Sequence, residues 1–259
     1  MAVDLKVIKI GGNVIDNPAM LDSFLQDFAA LEGSKILVHG GGKKATELSQ
    51  KMGFSPQMVE GRRITTDQDI EVVTMVYAGL INKCVVAKLQ KLGNNTIGLS
   101  GADGNAILAS KRPVKNIDYG WVGDIEKVNA GFLRSLIDQG ITPVLCAITH
   151  DGNEHLLNTN ADTIASEVAV AMSTLYNTQL IYCFEKQGVL TDVNDESSVI
   201  SELNEANYNS LKDEEAIHSG MIPKLDNCFN ALKKNVAKVI IGSPEVLKKD
   251  YETFTTLTL

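Results

Sequence analysis

The chain has 259 residues, 44% of them hydrophobic, and a formal net charge of -8; it is long enough to bury one large α/β core or two fused lobes. The negative charge and the lack of a long basic run exclude a nucleic-acid surface, which needs a concentrated positive face. An anionic ligand would have to meet a local cluster of Lys, Arg and helix N-termini. No stretch approaches the roughly eighteen apolar residues of a membrane span, and the sequence starts directly as a strand, without the basic and apolar regions of a signal peptide. Cys84, Cys146, Cys183 and Cys228 are widely spaced and mostly within apolar runs. That pattern suits reduced core thiols and points to the cytoplasm.

In chain order, short Val/Ile/Leu-rich runs alternate with longer helical patterns: Val3–Ile10, Pro18–Leu31, Lys35–His39 and Lys43–Met52. This rhythm predicts a mainly parallel sheet covered by helices on both faces. The first run ends in Lys9-Ile10-Gly11-Gly12, where paired glycines let backbone N–H groups approach a ligand and the lysine can reach a phosphate. The second ends in His39-Gly40-Gly41-Gly42 and opens a helix, which makes an anion site of free N–H groups and a helix N-terminus. His39 itself reads as a hydrogen-bonded structural residue. Neither segment is a Walker A loop or the dinucleotide pattern of three spaced glycines. Both sit at the sheet edge where open α/β sheets bind ligands.

Gly53–Ile64 and Ala109–Val128 break the rhythm and read as hairpins able to act as lids. Between them Asp67–Leu92 predicts a long helix, capped by Thr65 or Thr66 and closed by Gly93. It is apolar around more than one face, so it must be covered on two sides, by its own core and by a second subunit. Thr96–Leu99, Ile141–Ile148, Gln179–Phe184 and Val236–Ile241 predict further strands. Gly61-Arg62-Arg63-Ile64-Thr65, Asn158-Thr159-Asn160-Ala161-Asp162 and Gly220-Met221-Ile222-Pro223-Lys224 complete the candidates. Singly, these have structural explanations: an exposed basic pair, a helix N-cap with an acidic first turn, and a solvated lysine.

Taken in order, the five segments resemble the N-acetylglutamate kinases of the amino acid kinase family, from Lys9 to at least Ile241. Gly120-Trp121-Val122-Gly123-Asp124-Ile125 is similar to a hairpin typical of the acetylglutamate enzymes within that family. The resemblance implies a single domain with a three-layer αβα sandwich around a central, mostly parallel sheet. It implies an acyl-amino-acid lobe over residues 1–174 and a nucleotide lobe over 175–259. It also implies transfer of the γ-phosphoryl of ATP, carried with Mg²⁺, to the side-chain carboxylate of N-acetylglutamate or another N-acylglutamate such as N-succinylglutamate, within arginine biosynthesis. Matched by position, Lys9 and Lys224 correspond to the lysines on the transferred phosphoryl and Asp162 to the carboxylate that holds both. Gly12, Gly41 and Gly42 correspond to backbone donors to the phosphoryl, and Arg63 and Asn158 to the residues that grip the amino acid.

The logic is chemically coherent, because an ionised carboxylate nucleophile needs positioning and charge neutralisation rather than a general base. Three positions depart from the family pattern. Phe184-Glu185 stands where Ser or Thr followed by Asp is usual, Ala102 stands where lysine is common, and the C-terminal end lacks the usual Gly-Thr. None removes a phosphoryl-transfer position. The rival expectations are a kinase of the same fold acting on another carboxylate, carbamate or UMP, and a non-catalytic metabolite-binding relative. Only Met1 and Ala2 precede the first strand, so the resemblance implies a homodimer that arginine does not inhibit.

Overall fold

The computed structural model describes residues 3–59, 61–192, 194–214, 217 and 221–259; Met1, Ala2 and Gly220 lie outside them. Among the described residues there are fourteen strands: β1 Asp4–Ile10, β2 Ser34–His39, β3 Met58–Val59, β4 Arg62–Arg63, β5 Thr96–Leu99, β6 Ile107–Lys111 and β7 Gly123–Val128, followed by β8 Thr142–Cys146, β9 Ile148–His150, β10 Leu156–Asn158, β11 Asn177–Cys183, β12 Glu202–Asn204, β13 Lys238–Gly242 and β14 Thr255–Thr258. The large sheet has eight strands in the order β12-β14-β13-β11-β1-β2-β8-β5. Its described pairings are parallel except for β13 with β14. Central strands are buried almost throughout: Leu5, Val7, Ile8 and Ile10 of β1, and Ile36, Leu37 and Val38 of β2, are all inaccessible. That explains why they read as continuous apolar runs rather than alternating ones.

The chain divides into two compact units, residues 1–36 with 165–259 and residues 37–164. In the first, β1 pairs with β11 from Asp4↔Asn177 to Ile10↔Cys183, and β11 pairs with β13. Helices α1 (Gly12–Asp16) and α2 (Pro18–Ala30) follow β1. Asn17 caps α2, its Oδ1 accepting from the N–H groups of Ala19 and Met20, with proline as the first helical residue. At the other end of α2 the Lys35 ammonium donates to the carbonyls of Phe28, Ala29 and Leu31 at 2.8, 3.1 and 2.7 Å, satisfying C-terminal carbonyls with a cation.

In the second unit α3 (Gly42–Lys51) follows β2, and α4 runs from Asp67 to Lys91. Thr66 caps α4 in a capping box with Asp69. Between Met75 and Ile81 the helix widens to a π-turn before regular α geometry resumes at Asn82. A window of α4 has mean hydropathy 1.6, so by length and composition alone this helix passes for a membrane span, with 39% of the window buried inside the protein. The expectation that no stretch approaches that threshold is corrected by this segment. Its apolar surface divides as the sequence suggests: Val72, Val73, Val76, Val85 and Leu89 are buried, whereas Met75 and Leu80 are exposed. The remaining strands of this unit form a four-stranded sheet, β10-β9-β6-β7, and the β3–β4 hairpin. The predicted hairpins thus correspond to β3–β4 and β6–β7.

Candidate active site

The turn after β2 is built around its glycines. A Cβ on Gly41 would overlap the Ile81 side chain and lie 3.0 Å from Cδ1 of Tyr77. Only glycine lets the π-turn of α4 pack against the start of α3. Gly41 caps α3 without a side-chain acceptor, so the first N–H groups of that helix stay available to an anion. His39, the last residue of β2, is fully buried. Its Nδ1 meets the Gly40 carbonyl at 2.9 Å and its Nε2 meets the Asn82 amide nitrogen at 3.1 Å. Burial pushes the imidazole down to about 4, which keeps it neutral with the proton on Nδ1.

A cavity of about 450 Å³ opens over this turn, lined by Gly40, Gly41, Gly42, Arg63, Tyr77 and Asn158 among others. Of the arginine pair, Arg62 is exposed and Arg63 is buried. Arg63 donates from Nη1 to Asp69 at 3.2 Å and from Nη2 to the Gly42 carbonyl at 3.1 Å and Thr46 Oγ1 at 2.7 Å. Side chains of Arg63 and Asp69 are each only 4% exposed, so this ion pair is taken out of water and fixed by further bonds. Asp69 also accepts from the Thr66 backbone and hydroxyl. One carboxylate therefore caps α4 and orients Arg63. Tyr77 sits beside this pair, and burial raises its hydroxyl pKa.

Asn158 ends β10. Its amide donates to Thr65 Oγ1 at 3.0 Å and its backbone N–H to the Trp121 carbonyl at 2.8 Å. The hairpin glycines have a steric reason at this place. Gly120 has φ +67, and a Cβ there would collide with the Thr65 carbonyl. A Cβ on Gly123 would lie 2.6 Å from Thr159 Oγ1 and 2.9 Å from Leu157. Between them, Trp121 donates its backbone N–H to the Thr65 carbonyl at 2.7 Å and its indole N–H to Asp67 at 2.5 Å. Its ring stacks on His155, with centroids 4.9 Å apart, and carries the Lys111 ammonium 4.0 Å from its centroid. The Gly-Trp-Val-Gly run thus ties the hairpin to the chain that carries Arg63 and Asn158.

Asn160 caps the helix Ala161–Met172 through bonds from the Asp162 and Thr163 N–H groups at 2.7 and 3.2 Å, and Asp162 lies in its first turn as expected. In the other unit, Lys9 is next to last in β1 and 9% exposed, and Gly12 opens α1. Lys224 is the third residue of the helix Ile222–Lys233, its ammonium 5.2 Å from the Phe184 ring centroid. The structure therefore gathers Gly41, Gly42, Arg63 and Asn158 around one cavity. Lys9, Gly12 and Lys224 belong to the unit that contains β1 and β11. Sequence reasoning passed over Tyr77, Thr46, Asp69 and Arg112. Arg112 alone carried a signal, as a cation in the predicted lid.

A mostly parallel α/β sheet with glycine turns at its strand ends, and a cation-bearing cavity beside one of them, defines a protein built to hold small anionic ligands. The chain belongs to the amino acid kinase family, whose sequence profile matches residues 4–243. It is 58% identical over 244 residues to an acetylglutamate kinase of Cytophaga hutchinsonii, covering 94% of this chain and 92% of that protein. It is 51% identical over 257 residues to an acetylglutamate kinase of Phocaeicola vulgatus, covering 96% and 100%. Among solved structures, smu.665 of Streptococcus mutans UA159 superposes with a TM-score of 0.78 at 25% identity, covering 98% of each chain.

Proposed function

We propose that the chain transfers the γ-phosphoryl group of ATP to the γ-carboxylate of an N-acylated glutamate, with N-acetylglutamate as reference substrate, in arginine biosynthesis. The observation that carries this reading is the cavity at the Gly40–Gly42 turn, where helix N–H groups and a buried, oriented arginine await an anionic ligand. The acetylglutamate kinases with which the chain shares about half or more of its residues support it.

In this reading residues 1–174 hold the acylated amino acid and 175–259 the nucleotide. Arg63 grips the α-carboxylate already oriented by Gly42, Thr46 and Asp69, and Asn158 adds a second polar contact. Gly12, Gly41 and Gly42 offer backbone donors to the moving phosphoryl group. Lys9 and Lys224 stabilise charge on its oxygens, with Asp162 as their organiser. The carboxylate attacks without a general base, because it is ionised at neutral pH. Mg²⁺ arrives on the ATP phosphates and lowers the repulsion between the two anions. The enzyme works in the cytoplasm as a homodimer, joined through the exposed apolar side of α4 at Met75 and Leu80.

The test is ADP release with ATP and a panel of acetylglutamate, succinylglutamate, free glutamate, aspartate, carbamate and UMP. Release with an acylglutamate alone is the expected result. Phe184-Glu185 favours one second reading, a binding protein without turnover, which the panel would reveal as complete inactivity with ligand still bound.

A further inference from the structure

Tyr77 sits in the π-turn of α4, Met75–Ile81, a geometry that helices adopt rarely and often at functional sites. The turn carries Tyr77 and Ile81 against the start of α3. A Cβ on Gly41 would lie 3.0 and 3.2 Å from Cδ1 and Cε1 of the Tyr77 ring, and one on Gly42 would lie 3.8 Å from its hydroxyl oxygen. The ring therefore runs along the glycine turn and ends at the first residue of α3, in the wall of the cavity of about 450 Å³. Tyr77 is only 5% exposed. All of these residues belong to the unit 37–164.

The hydroxyl has an unused hydrogen. Its hydrogen-bonding neighbour is the Arg63 guanidinium, which carries donors only, so the phenol oxygen accepts there and the O–H finds no acceptor among the described residues. Burial raises the hydroxyl pKa and outweighs the nearby Arg63 cation, so the proton stays on the oxygen at neutral pH. A buried donor without an acceptor is costly, and phenylalanine would fill the same space without that cost. What the tyrosine requires is a ligand atom that accepts. The first N–H groups of α3, which has no side-chain cap, open at the same place, so an acceptor there meets backbone donors and the phenol together. An ionised carboxylate has lone pairs enough for all of them. We propose that Tyr77 donates its O–H to the γ-carboxylate of the acylglutamate and so fixes the reacting group, while Arg63 holds the α-carboxylate. This inference rests on the acylglutamate reading and adds a substrate-contacting residue to it.

The experiment pairs Tyr77→Phe, which removes the hydroxyl and keeps the ring against Gly41, with ligands that lack the γ-carboxylate. N-acetylglutamate and N-succinylglutamate are compared with N-acetylnorvaline and N-succinylnorvaline, in which a methyl group replaces that carboxylate. Binding is measured by calorimetry without nucleotide, and KM and kcat with ATP for the two glutamates. Tyr77→Phe should weaken binding of the glutamate compounds by about tenfold or more, as for a lost hydrogen bond to a charged group, and leave the norvaline compounds within about twofold. The KM for the acylglutamate should rise to match, with the KM for ATP unchanged. Equal weakening of both kinds of ligand would trace the effect to Arg63 and the α-carboxylate and overturn the proposal, as would unchanged binding of the glutamates. A loss confined to kcat would put the O–H on the transferred phosphoryl group and overturn it too. Selective loss of glutamate binding in a protein that turns over no acylglutamate would support the proposal and sink the kinase reading alone.

Discussion

His39 makes the stability of the second unit depend on pH in a direction that can be worked out from its partners. Its Nδ1–H donates to the Gly40 carbonyl and its Nε2 accepts from the Asn82 amide. The amide cannot turn over to present its oxygen, because its nitrogen also donates to the Val144 carbonyl at 3.0 Å and its oxygen accepts from Lys83 at 3.1 Å. Protonating the ring would set two donors against each other in a fully buried site. The folded-state pKa is accordingly depressed, from 6.5 to about 4. Between those values the unfolded chain binds more protons than the folded one, so stability is full above pH 6.5 and is lost as pH falls toward 4. At about 1.4 kcal/mol per pKa unit the whole loss is about 3 kcal/mol, of which about 2 kcal/mol is reached near pH 5. Urea denaturation followed by circular dichroism at about pH 7.5 and pH 5 measures it before most carboxylates titrate. His39→Asn keeps a donor for Gly40 but cannot titrate. The variant should be less stable at neutral pH, yet lose about 2 kcal/mol less than the wild type on acidification. Equal losses in the two proteins would refute the assignment of the tautomer and of the network.

Further outcomes follow from the site and from the exposed side of α4. Arg63→Ala should raise the KM for the acylglutamate far more than it lowers kcat, with little change in the KM for ATP; a collapse of ATP affinity would put Arg63 on the nucleotide side. Lys9→Ala or Lys224→Ala should cost on the order of 10²-fold or more in kcat, and Asp162→Asn should behave similarly. A Lys9→Ala/Asp162→Asn double variant should lose much less than the product of the single effects, as measured in a kinetic double-mutant cycle. Gly120→Ala should destabilise by about 2 kcal/mol or more, because it adds a clash with the Thr65 carbonyl to a left-handed backbone, and should shift the fluorescence of Trp121, the chain's only tryptophan. Leu80→Glu should turn a dimer into a monomer by light scattering; a monomeric or hexameric wild-type protein would count against the α4 seam.

Much of the fold was legible because central strands buried on both faces leave short, near-continuous apolar runs bounded by turn residues. β1, β2, β5 and β8 lie within a few residues of their predicted runs. Helix boundaries were legible where caps are local, as at Thr66 and Asn160, since a side-chain oxygen two or three residues before free N–H groups is a sequence-level signal. The π-turn at Met75–Ile81 was not. A helix apolar around most of its circumference has no stripe whose drift could expose a change of pitch. The partners of Arg63 were hidden for another reason: Gly42, Thr46 and Asp69 come from two different helices, and only folding brings their oxygens to one guanidinium. The short strands β10, β12 and β14 also escaped, being three or four residues long with no room for a period.

Lys224 and Phe184 show how a broken local rule can be informative. Lys224 is the third residue of its helix, and the first turn of that helix has no acidic residue. A cation there opposes the helix dipole and loses a few tenths of a kcal/mol or more relative to an acidic residue. Helix stability therefore gives no reason for a lysine at this position. The face of Phe184 lies 5.2 Å from the ammonium and offsets a cost of that size, since a cation over an aromatic ring at a partly exposed site gains about 0.5–1 kcal/mol. In the pattern that the resemblance implies, Ser or Thr stands at the position of Phe184. A hydroxyl there could donate to a phosphate oxygen, whereas an aromatic face can only attract the cation that does so. Under the proposed function, Phe184 orients Lys224 before the ligand arrives. Places where side chains contradict their own helix are where function, rather than folding, selects the residue.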